Sequence, residues 1–310
     1  MSYVYNINVL NEKKTIYDFM SFNNVSFCIS MICVLLSIIS ISMLGFNWNI
    51  DFTGGFLVKV HCNMMIEVDK IINAFKGMGI RNVQVNYFGG INDVIVRVPD
   101  LFTLSILDFS HKVILAFHKC LMFKSEITSI EYVGPSADND LLNMFFCSLF
   151  LALLFISIYI IFRFSWNLSI GIILSLFHDL LLTLGCISVF RIEVSPIIIV
   201  SLLSIVGYSL NDSIVVSDRI RENTVKFKDL LFVDILNFSL TQVYSRTLMT
   251  SATTFSVAAI LYYFGNEIIK NFSLTMMIGI FVGTLSSIYI SSSFSLQFFE
   301  MINGKQNRNT

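Results

Sequence analysis

One aspartate, Asp212, follows a long uncharged stretch in the segment IVGYSLNDSIVVSDRIREN, residues 205–223. The uncharged run 196–211 has 16 residues, which as a helix rises about 24 Å, less than the roughly 30 Å core of a bilayer. A helix that crosses a membrane here must continue past Asp212, so its carboxylate lies within the apolar layer or at its inner margin. A charge there costs at least about 2.5 kcal/mol, which makes this carboxylate a candidate functional group.

Other polar residues recur at helical spacing in the same apolar regions. The spacing of 3, 4 and 4 residues places one stripe on a single helix face, formed by Ser201, Ser204, Tyr208 and Asp212, with Asn211 beside it. Two further stripes comprise Arg246, Thr250 and Thr253 or Thr254, and Gly171, Ser175, His178 and Asp179. Such stripes are expected to face neighbouring helices, because unsatisfied polar groups in hydrocarbon are costly.

Asp212 and Arg246 are the expected partners across one of these helix interfaces. Burial disfavours a charged carboxylate and a nearby guanidinium favours it, so a group balanced between the two can change its protonation when helices shift. Two structural interpretations stay open beside this one. In the first, Arg246 is only a helix-start residue whose side chain extends to the headgroups. In the second, the His178-Asp179 pair is only a polar anchor within a packed bundle.

The composition of the chain requires a membrane. Of its 310 residues, 55% are hydrophobic and 13% are charged, and the mean hydropathy is +0.76. Soluble domains carry about 25% charged residues, so this chain cannot cover a water-facing surface along its whole length. Its net charge of -1 argues against nucleic acid as a partner.

Six apolar stretches are long enough to cross a bilayer, with the charges confined to the segments between them. They cover residues 25–46, 141–162, 164–190, 194–211 with its extension, 247–266 and 271–299. Lysines and arginines gather in alternate short loops, so the positive-inside rule predicts that both termini are cytoplasmic. The predicted cytoplasmic parts are residues 1–24, a loop at about 218–245 and the tail 300–310, and the segment 47–140 lies on the outer side.

The outer segment 47–140 has the pattern of a separate α+β domain. Strands are predicted at FLVKVHC (56–62), NVQVNYF (82–88), NDVIVRV (92–98) and SEITSIEYV (125–133), with helices at 66–79 and 101–122. Gly89-Gly90 is typical of a hairpin turn between the middle strands. The fold class is therefore a mainly α polytopic membrane protein of six transmembrane helices, with a ferredoxin-like extracytoplasmic domain between helices 1 and 2.

Enzymatic, metal and cofactor sites are not predicted. G-x-S-x-G, H-E-x-x-H and Walker sequences are missing from the chain. His111 and His118 are interpreted as surface residues of a polar helix. The six cysteines include no CxxC pair, and a disulfide between Cys62 and Cys120 stays open.

Six short blocks occur in order along residues 20 to 300 and carry a resemblance to a known family. They are IDFTGG (50–55), VGP (133–135), HD (178–179), GYSLNDSIVVSDRIREN (207–223), SRTLMTSATT (245–254) and GTLSSIYI (283–290). With the topology of six spans, they resemble the SecF branch of the SecD/SecF protein-export family, which is similar to RND-type proton-driven transporters. Asn49, Ser213 and Ser217 depart from the residues usual in that family.

The resemblance implies a multi-pass protein of the bacterial inner membrane. In this family the proton-motive force drives cycles of the outer domains, which help to pull unfolded exported polypeptide across after SecYEG has started it. SecD is implied as an obligate partner that supplies six further spans, and YajC and YidC as additional partners; no cofactor is implied.

The resemblance also implies roles for particular residues. Asp212 matches the intramembrane aspartate implicated in proton conduction, and Arg246 and Thr250 match the arginine and threonine one helix later. Tyr208, Asn211, Ser204, His178 and Asp179 are the supporting polar residues. A coupling role between membrane and outer domain is expected for Asp51, Thr53, Gly54 and Gly55, whose glycines allow a tight turn; a simple turn before the first strand is the alternative.

Two other function classes stay open at this point. One is half of an RND-type exporter of small molecules or lipids, although such exporters usually carry both halves in one chain. The other is a scaffold that stabilises a translocon without conducting protons, because a structural ion pair has the same appearance in a sequence.

Overall fold

The structure, a computed structural model, describes residues 16–49, 52, 54–62, 68–77, 83–87, 93–99, 125–133 and 136–306. The chain divides into a helical unit of Met1–Asn47 with Ser148–Thr310, and an outer unit of Trp48–Cys147. Within the described residues, six helices are long and apolar enough to cross a membrane. The predicted set of six spans with a small β/α region between the first two is thus confirmed.

The helices are α1 (Asn23–Leu44), α2 (Val68–Gly77), α3 (Ser136–Arg163), α4 (Trp166–Val189), α5 (Pro196–Lys226), α6 (Phe232–Phe264) and α7 (Glu267–Gln306). The strands are β1 (Asn47–Trp48), β2 (Gly55–Cys62), β3 (Gln84–Tyr87), β4 (Asp93–Pro99), β5 (Ser125–Val133) and β6 (Glu193–Val194). A short 3₁₀ turn, Met20–Phe22, precedes α1.

The segment expected as a cytoplasmic loop at about 218–245 is largely helical. The helices α5 and α6 extend beyond the apolar region, and only residues 227–231 are non-helical. Charged residues there pair along and between helices, as when Asp218 contacts the guanidinium of Arg221 at 3.0 Å and that of Arg163 at 3.2 Å. The charges therefore lie within the helix ends, where they pair with one another, and not in a separate loop.

Small residues allow the helices of this unit to approach closely. A Cβ added to Gly171 of α4 would lie 2.6 Å from the carbonyl oxygen of Ser291 in α7. A Cβ added to Gly185 would lie 2.8 Å from the Cα of Ser37 in α1. Without a hydrophobic driving force between helices in lipid, such close packing is a main source of their association.

Hydrogen bonds join the C-terminal end of α1 to the C-terminal end of α4. The Ser188 hydroxyl lies 2.9 Å from the carbonyl oxygen of Gly45, and the Arg191 guanidinium donates to the carbonyl oxygen of Leu44 at 2.6 Å. Arg191 itself has a positive φ of 52°, an uncommon conformation for a residue with a side chain. These bonds satisfy two of the carbonyl groups that a helix terminus leaves without an internal partner.

Four antiparallel strands form the sheet of the outer unit, in the order β3-β4-β2-β5. Val58 of β2 pairs with Val96 of β4 on one side and with Ile130 of β5 on the other. Alternating valines and the apolar face of α2 bury one core, which includes Phe56, Val58, Val96 and Phe75. The predicted helix 101–122 and turn at Gly89-Gly90 lie outside the described residues, as do His111, His118 and Cys120.

The turn that leads into β2 requires glycine. Gly54 and Gly55 both have positive φ, 68° and 143°, which residues with a Cβ rarely adopt. Just before it, the Phe52 amide donates to the Asn49 carbonyl oxygen at 2.9 Å. The tight-turn prediction for this motif agrees with these angles, while Asp51 and Thr53 lie outside the described residues.

We predict that residues 53–134 fold as a separate soluble unit, because the sheet and α2 close an apolar core of their own. The fragment should unfold cooperatively on heating. Phe75→Ala, at a side chain that is 1% exposed, should lower its free energy of unfolding by about 3 kcal/mol through the cavity it leaves. Lys76→Ala on the exposed face of α2 is the control, and an aggregated or disordered wild-type fragment would contradict the prediction.

A second prediction concerns an ion pair on the sheet of the outer unit. The Lys59 ammonium, 2.8 Å from the Glu131 carboxylate, holds the pKa of that carboxyl below its ordinary value of 4.5. The pair therefore stabilises the folded unit above that pH, and this contribution is lost as the pH falls through the lowered pKa. In an NMR titration of the fragment, Lys59→Met should raise the pKa of Glu131, whereas Lys76→Met should leave it unchanged.

Candidate functional site

Asp212 is buried at the meeting of three helices. Its side chain lies sixteen residues along α5 from Pro196, about 24 Å into the helix, and the residue is 7% exposed. The Ser251 hydroxyl of α6 donates to the Asp212 carboxylate at 3.0 Å. The Thr284 hydroxyl of α7 lies 2.8 Å from the Ser251 oxygen, so these side chains form one hydrogen-bonded chain across α5, α6 and α7.

A cavity of about 240 Å³ lies beside this carboxylate. Its walls come from α5, α6 and α7, and most of them are polar: Tyr208, Ser209, Asn211, Thr250, Ser251, Thr253, Thr254 and Thr284. Gly279, Ile280 and Gly283 of α7 also line it. The cavity is therefore large enough for several water molecules and lined by groups that can hydrogen-bond to them.

The expected pair between Asp212 and Arg246 is not formed in the structure. Arg246 is exposed, its carbonyl oxygen accepts a hydrogen bond from the Thr250 hydroxyl at 3.1 Å, and its guanidinium makes no salt bridge with any described residue. Five residues separate Arg246 from Ser251, which corresponds to about 140° around a helix. Because α6 turns Ser251 towards Asp212, Arg246 points elsewhere, and a hydroxyl takes the place predicted for the guanidinium.

The structure divides the other predicted residues of this site into two groups. Tyr208, Asn211 and Thr250 border the cavity and are exposed on its open side. Ser204 instead donates to the carbonyl oxygen of Val200 at 2.8 Å, within its own helix. Tyr208, Asn211 and Thr250 therefore line the same cavity as Asp212, whereas the Ser204 hydroxyl forms its hydrogen bond within its own helix.

His178 and Asp179 form a second buried polar cluster. Asp179, 1% exposed, accepts a hydrogen bond from the Ser209 hydroxyl at 2.5 Å. Its other carboxylate oxygen lies 3.0 Å from Nδ1 of His178. Ser209 also lines the Asp212 cavity, so the two clusters meet at this serine.

Sequence patterns did not predict three residues of the site, namely Ser209, Ser251 and Thr284. Ser209 precedes Asp212 by three residues and shares its helix face. Ser251 and Thr284 lie inside the blocks SRTLMTSATT and GTLSSIYI that carried the resemblance. Position within those blocks was thus an available signal, but serines and threonines are so common in membrane helices that their type alone did not distinguish them.

No group of three or more His, Cys, Asp or Glu residues suited to a metal ion occurs in the part of the chain that the structure describes. Asp212 and Asp179 are buried within the described spans, and His178 is partly buried beside Asp179. The arrangement is suited to binding and releasing protons and to hydrogen bonding with water.

Comparison with known proteins identifies the family. The chain is 39% identical to the protein translocase subunit SecF of Escherichia coli O157:H7, over 96% of this chain and 92% of that protein. The chain belongs to the SecF family. The model of the family described as protein export membrane protein SecD/SecF, C-terminal, matches residues 113–301. Similarity extends to SecF of Vibrio alginolyticus, with 37% identity over 93% of this chain and 91% of that protein.

The fold matches solved structures of SecDF. The crystal structure of SecDF from Thermus thermophilus, described as a translocon-associated membrane protein, superposes with a TM-score of 0.80 and 31% identity over 93% of this chain. A SecDF structure in a super-membrane-facing form gives 0.76 and 29% identity over 96% of this chain. This chain spans 39% and 40% of those two chains, so it corresponds to one part of a longer SecDF protein.

These matches establish the biochemical class of the chain. It is a SecF subunit of the protein translocase, a multi-pass membrane protein of protein transport and a transporter subunit rather than an enzyme. The matches carry no information on individual side chains. The roles of Asp212 and its neighbours therefore rest on the geometry above.

The geometry predicts that Ser251 stabilises the helical unit through Asp212. Ser251→Ala removes the donor to a buried carboxylate and should lower the free energy of unfolding by about 1 kcal/mol. The measurement is thermal unfolding of the purified protein in detergent. Ser256→Ala is a matched control on α6, because that hydroxyl bonds only to the Ala252 carbonyl oxygen, at 2.8 Å; equal effects of the two substitutions would contradict the assigned contact.

Proposed function

We propose that this chain uses the proton-motive force, through protonation and deprotonation of Asp212, to assist the translocation of unfolded polypeptides across the bacterial inner membrane. SecD is its obligate partner and SecYEG supplies the channel. YajC and YidC join the same assembly. The class of the protein and its similarity to SecDF support this assignment.

One observation carries the proton-relay role, namely that Asp212 is buried beside a polar cavity with a neutral partner. A carboxylate held by a guanidinium remains charged, whereas a carboxylate held by a hydroxyl lacks that stabilisation of its charge. Ser251 supplies such a hydroxyl at 3.0 Å. The polar walls of the cavity offer a route for water and protons to reach the carboxylate.

Arg246 and Thr250 contribute to the same relay from the exposed face of α6. Thr250 lines the cavity together with Tyr208 and Asn211. A polar face of this kind is costly against lipid, which supports a protein partner there. SecD covers this face, and its own polar groups complete the environment of Arg246.

The distribution of charge supports an orientation with both termini in the cytoplasm. Arg163 lies at the end of α3, and the charged residues of 218–228 lie at the end of α5 and in the turn before α6. The N-terminus of α1 is near this end, since the Met20 amide just before α1 donates to Asn237 of α6 at 2.9 Å. Arg221 reaches across to the carbonyl oxygen of Arg163 at 3.1 Å. A cluster of arginines and lysines at one end of the spans favours the cytoplasmic side.

The available free energy is sufficient for such a function. Each elementary charge that crosses 100 mV supplies about 2.3 kcal/mol, which changes a two-state ratio by roughly fiftyfold.

The scaffold alternative uses the same contacts as a fixed hydrogen-bonded network. Similarity to SecF subunits along almost the whole chain leaves the exporter alternative without support.

We predict that Asp212→Asn abolishes the stimulation of translocation by a proton gradient while assembly with SecD is retained. Asparagine has nearly the same shape and still accepts a hydrogen bond from Ser251, but it cannot titrate. Asp212→Glu, which keeps the titratable group, should retain part of the stimulation. The measurement is uptake of a secretory precursor into membrane vesicles with and without a proton gradient, at equal SecD and SecF levels.

The same experiment decides between relay and scaffold. If Asp212→Asn vesicles with the wild-type amount of assembled complex still respond fully to the gradient, the proton-relay role is wrong. Ser256→Ala, on the exposed side of α6, controls for a substitution within the spans.

A further inference from the structure

The buried pair His178 and Asp179 on α4 has no part in the relay proposed above. Burying a carboxylate inside the spans is costly, and such groups mark functional paths by default. Both oxygens of this carboxylate are engaged, one by the Ser209 hydroxyl at 2.5 Å and the other by Nδ1 of His178 at 3.0 Å. The pair therefore has defined neighbours on two sides.

The His178 imidazole extends this series of hydrogen bonds to α1. Nδ1 of His178 is engaged by the carboxylate, so Nε2 is left to bond to another group. The Ser30 hydroxyl of α1 lies 2.6 Å from this Nε2. Ser209, Asp179, His178 and Ser30 thus form a continuous chain of hydrogen bonds from α5 through α4 to α1.

The other end of this chain begins at the Asp212 site. Ser209 precedes Asp212 by three residues on one face of α5, and it lines the same cavity. Space around it is limited, because a Cβ added to Gly283 of α7 would lie 3.2 Å from the Cβ of Ser209. A shift of α5 that accompanies a change at Asp212 must therefore change the bond from Ser209 to Asp179.

The C-terminal part of α1 packs closely against α4 and is hydrogen-bonded to it. Ser37 packs against Gly185 without room for a Cβ, and Ser188 and Arg191 bond to the carbonyl groups of Gly45 and Leu44. The two helices are therefore built to move together. Beyond α1 the chain enters the outer unit.

We infer that His178 and Asp179 are positioning residues that link the Asp212 site to α1 through Ser209 and Ser30. A change of protonation at Asp212 alters the position of Ser209, and the buried pair carries this displacement to the helix that leads to the outer unit. This inference rests on the proposed function, since it assigns the route by which the relay acts. Coupling of this kind travels through contiguous hydrogen bonds and rigid helices.

The test separates proton movement from translocation. Vesicles that contain SecD and either the wild type or a variant chain are assayed for proton flux with a pH-sensitive dye and for gradient-stimulated uptake of a secretory precursor. Ser30→Ala should keep the proton flux and lower gradient-stimulated uptake by about fivefold or more. Ser30→Thr keeps the hydroxyl, faces a cavity of about 340 Å³ that accepts its methyl group, and should restore uptake.

Two control variants make each result decisive. Ser42→Ala is the matched substitution on an exposed position of α1 and should behave as the wild type in both assays. Asp212→Asn should lose both proton flux and stimulation; if it loses neither, the proposed function itself fails.

Three outcomes overturn the inference while the relay stands. The first is that Ser30→Ala behaves as Ser42→Ala in both assays, which removes the link. The second is that Ser30→Ala loses proton flux together with uptake, which places the pair in the proton path and not in positioning. The third is that Ser30→Ala lowers the amount of assembled complex without rescue by Ser30→Thr, which leaves only a structural role.

Discussion

The cost of holding a carboxylate inside hydrocarbon governs the construction of the helical unit. Asp212 stays within the span region because α6 presents Ser251 to it and α7 supports Ser251 with Thr284. This requires three helices to meet at one level. Gly279 and Gly283 make that approach possible, since a Cβ at Gly279 would lie 2.4 Å from the side chain of Ile205.

The same cost explains why a buried polar residue on one helix forms hydrogen bonds with a polar residue on a neighbouring helix. Asp179 is satisfied only because Ser209 comes from α5 and His178 turns back from its own helix. Each such bond fixes the rotation of a helix about its axis, which apolar packing alone leaves loosely determined in a membrane. Function and fold therefore depend on the same side chains, and substitutions there must be read with assembly measured alongside activity.

The outer unit is built on the opposite physical basis. Its core closes by burial of alternating valines and aromatic residues against water, and its ion pair between Lys59 and Glu131 lies on the exposed surface. Such a pair contributes little to stability in high dielectric. The unit is thus expected to tolerate surface changes that the spans, where each polar group needs a partner, do not tolerate.

The sequence by itself determined the number of spans, the strands and first helix of the outer unit, and the family, because these depend on local apolar periodicity and on contiguous blocks such as GYSLNDSIVVSDRIREN. It also singled out Asp212, since a charge in an apolar run is visible without a structure. Only the tertiary structure decided that Ser251, and not Arg246, is the partner of Asp212. The reason is physical: a stripe shows which residues share a helix face, but the rotation of α6 against α5 is set by packing among distant segments. The link from Ser209 through Asp179 and His178 to Ser30 joins residues up to 179 positions apart in the chain, and no local pattern records that contact.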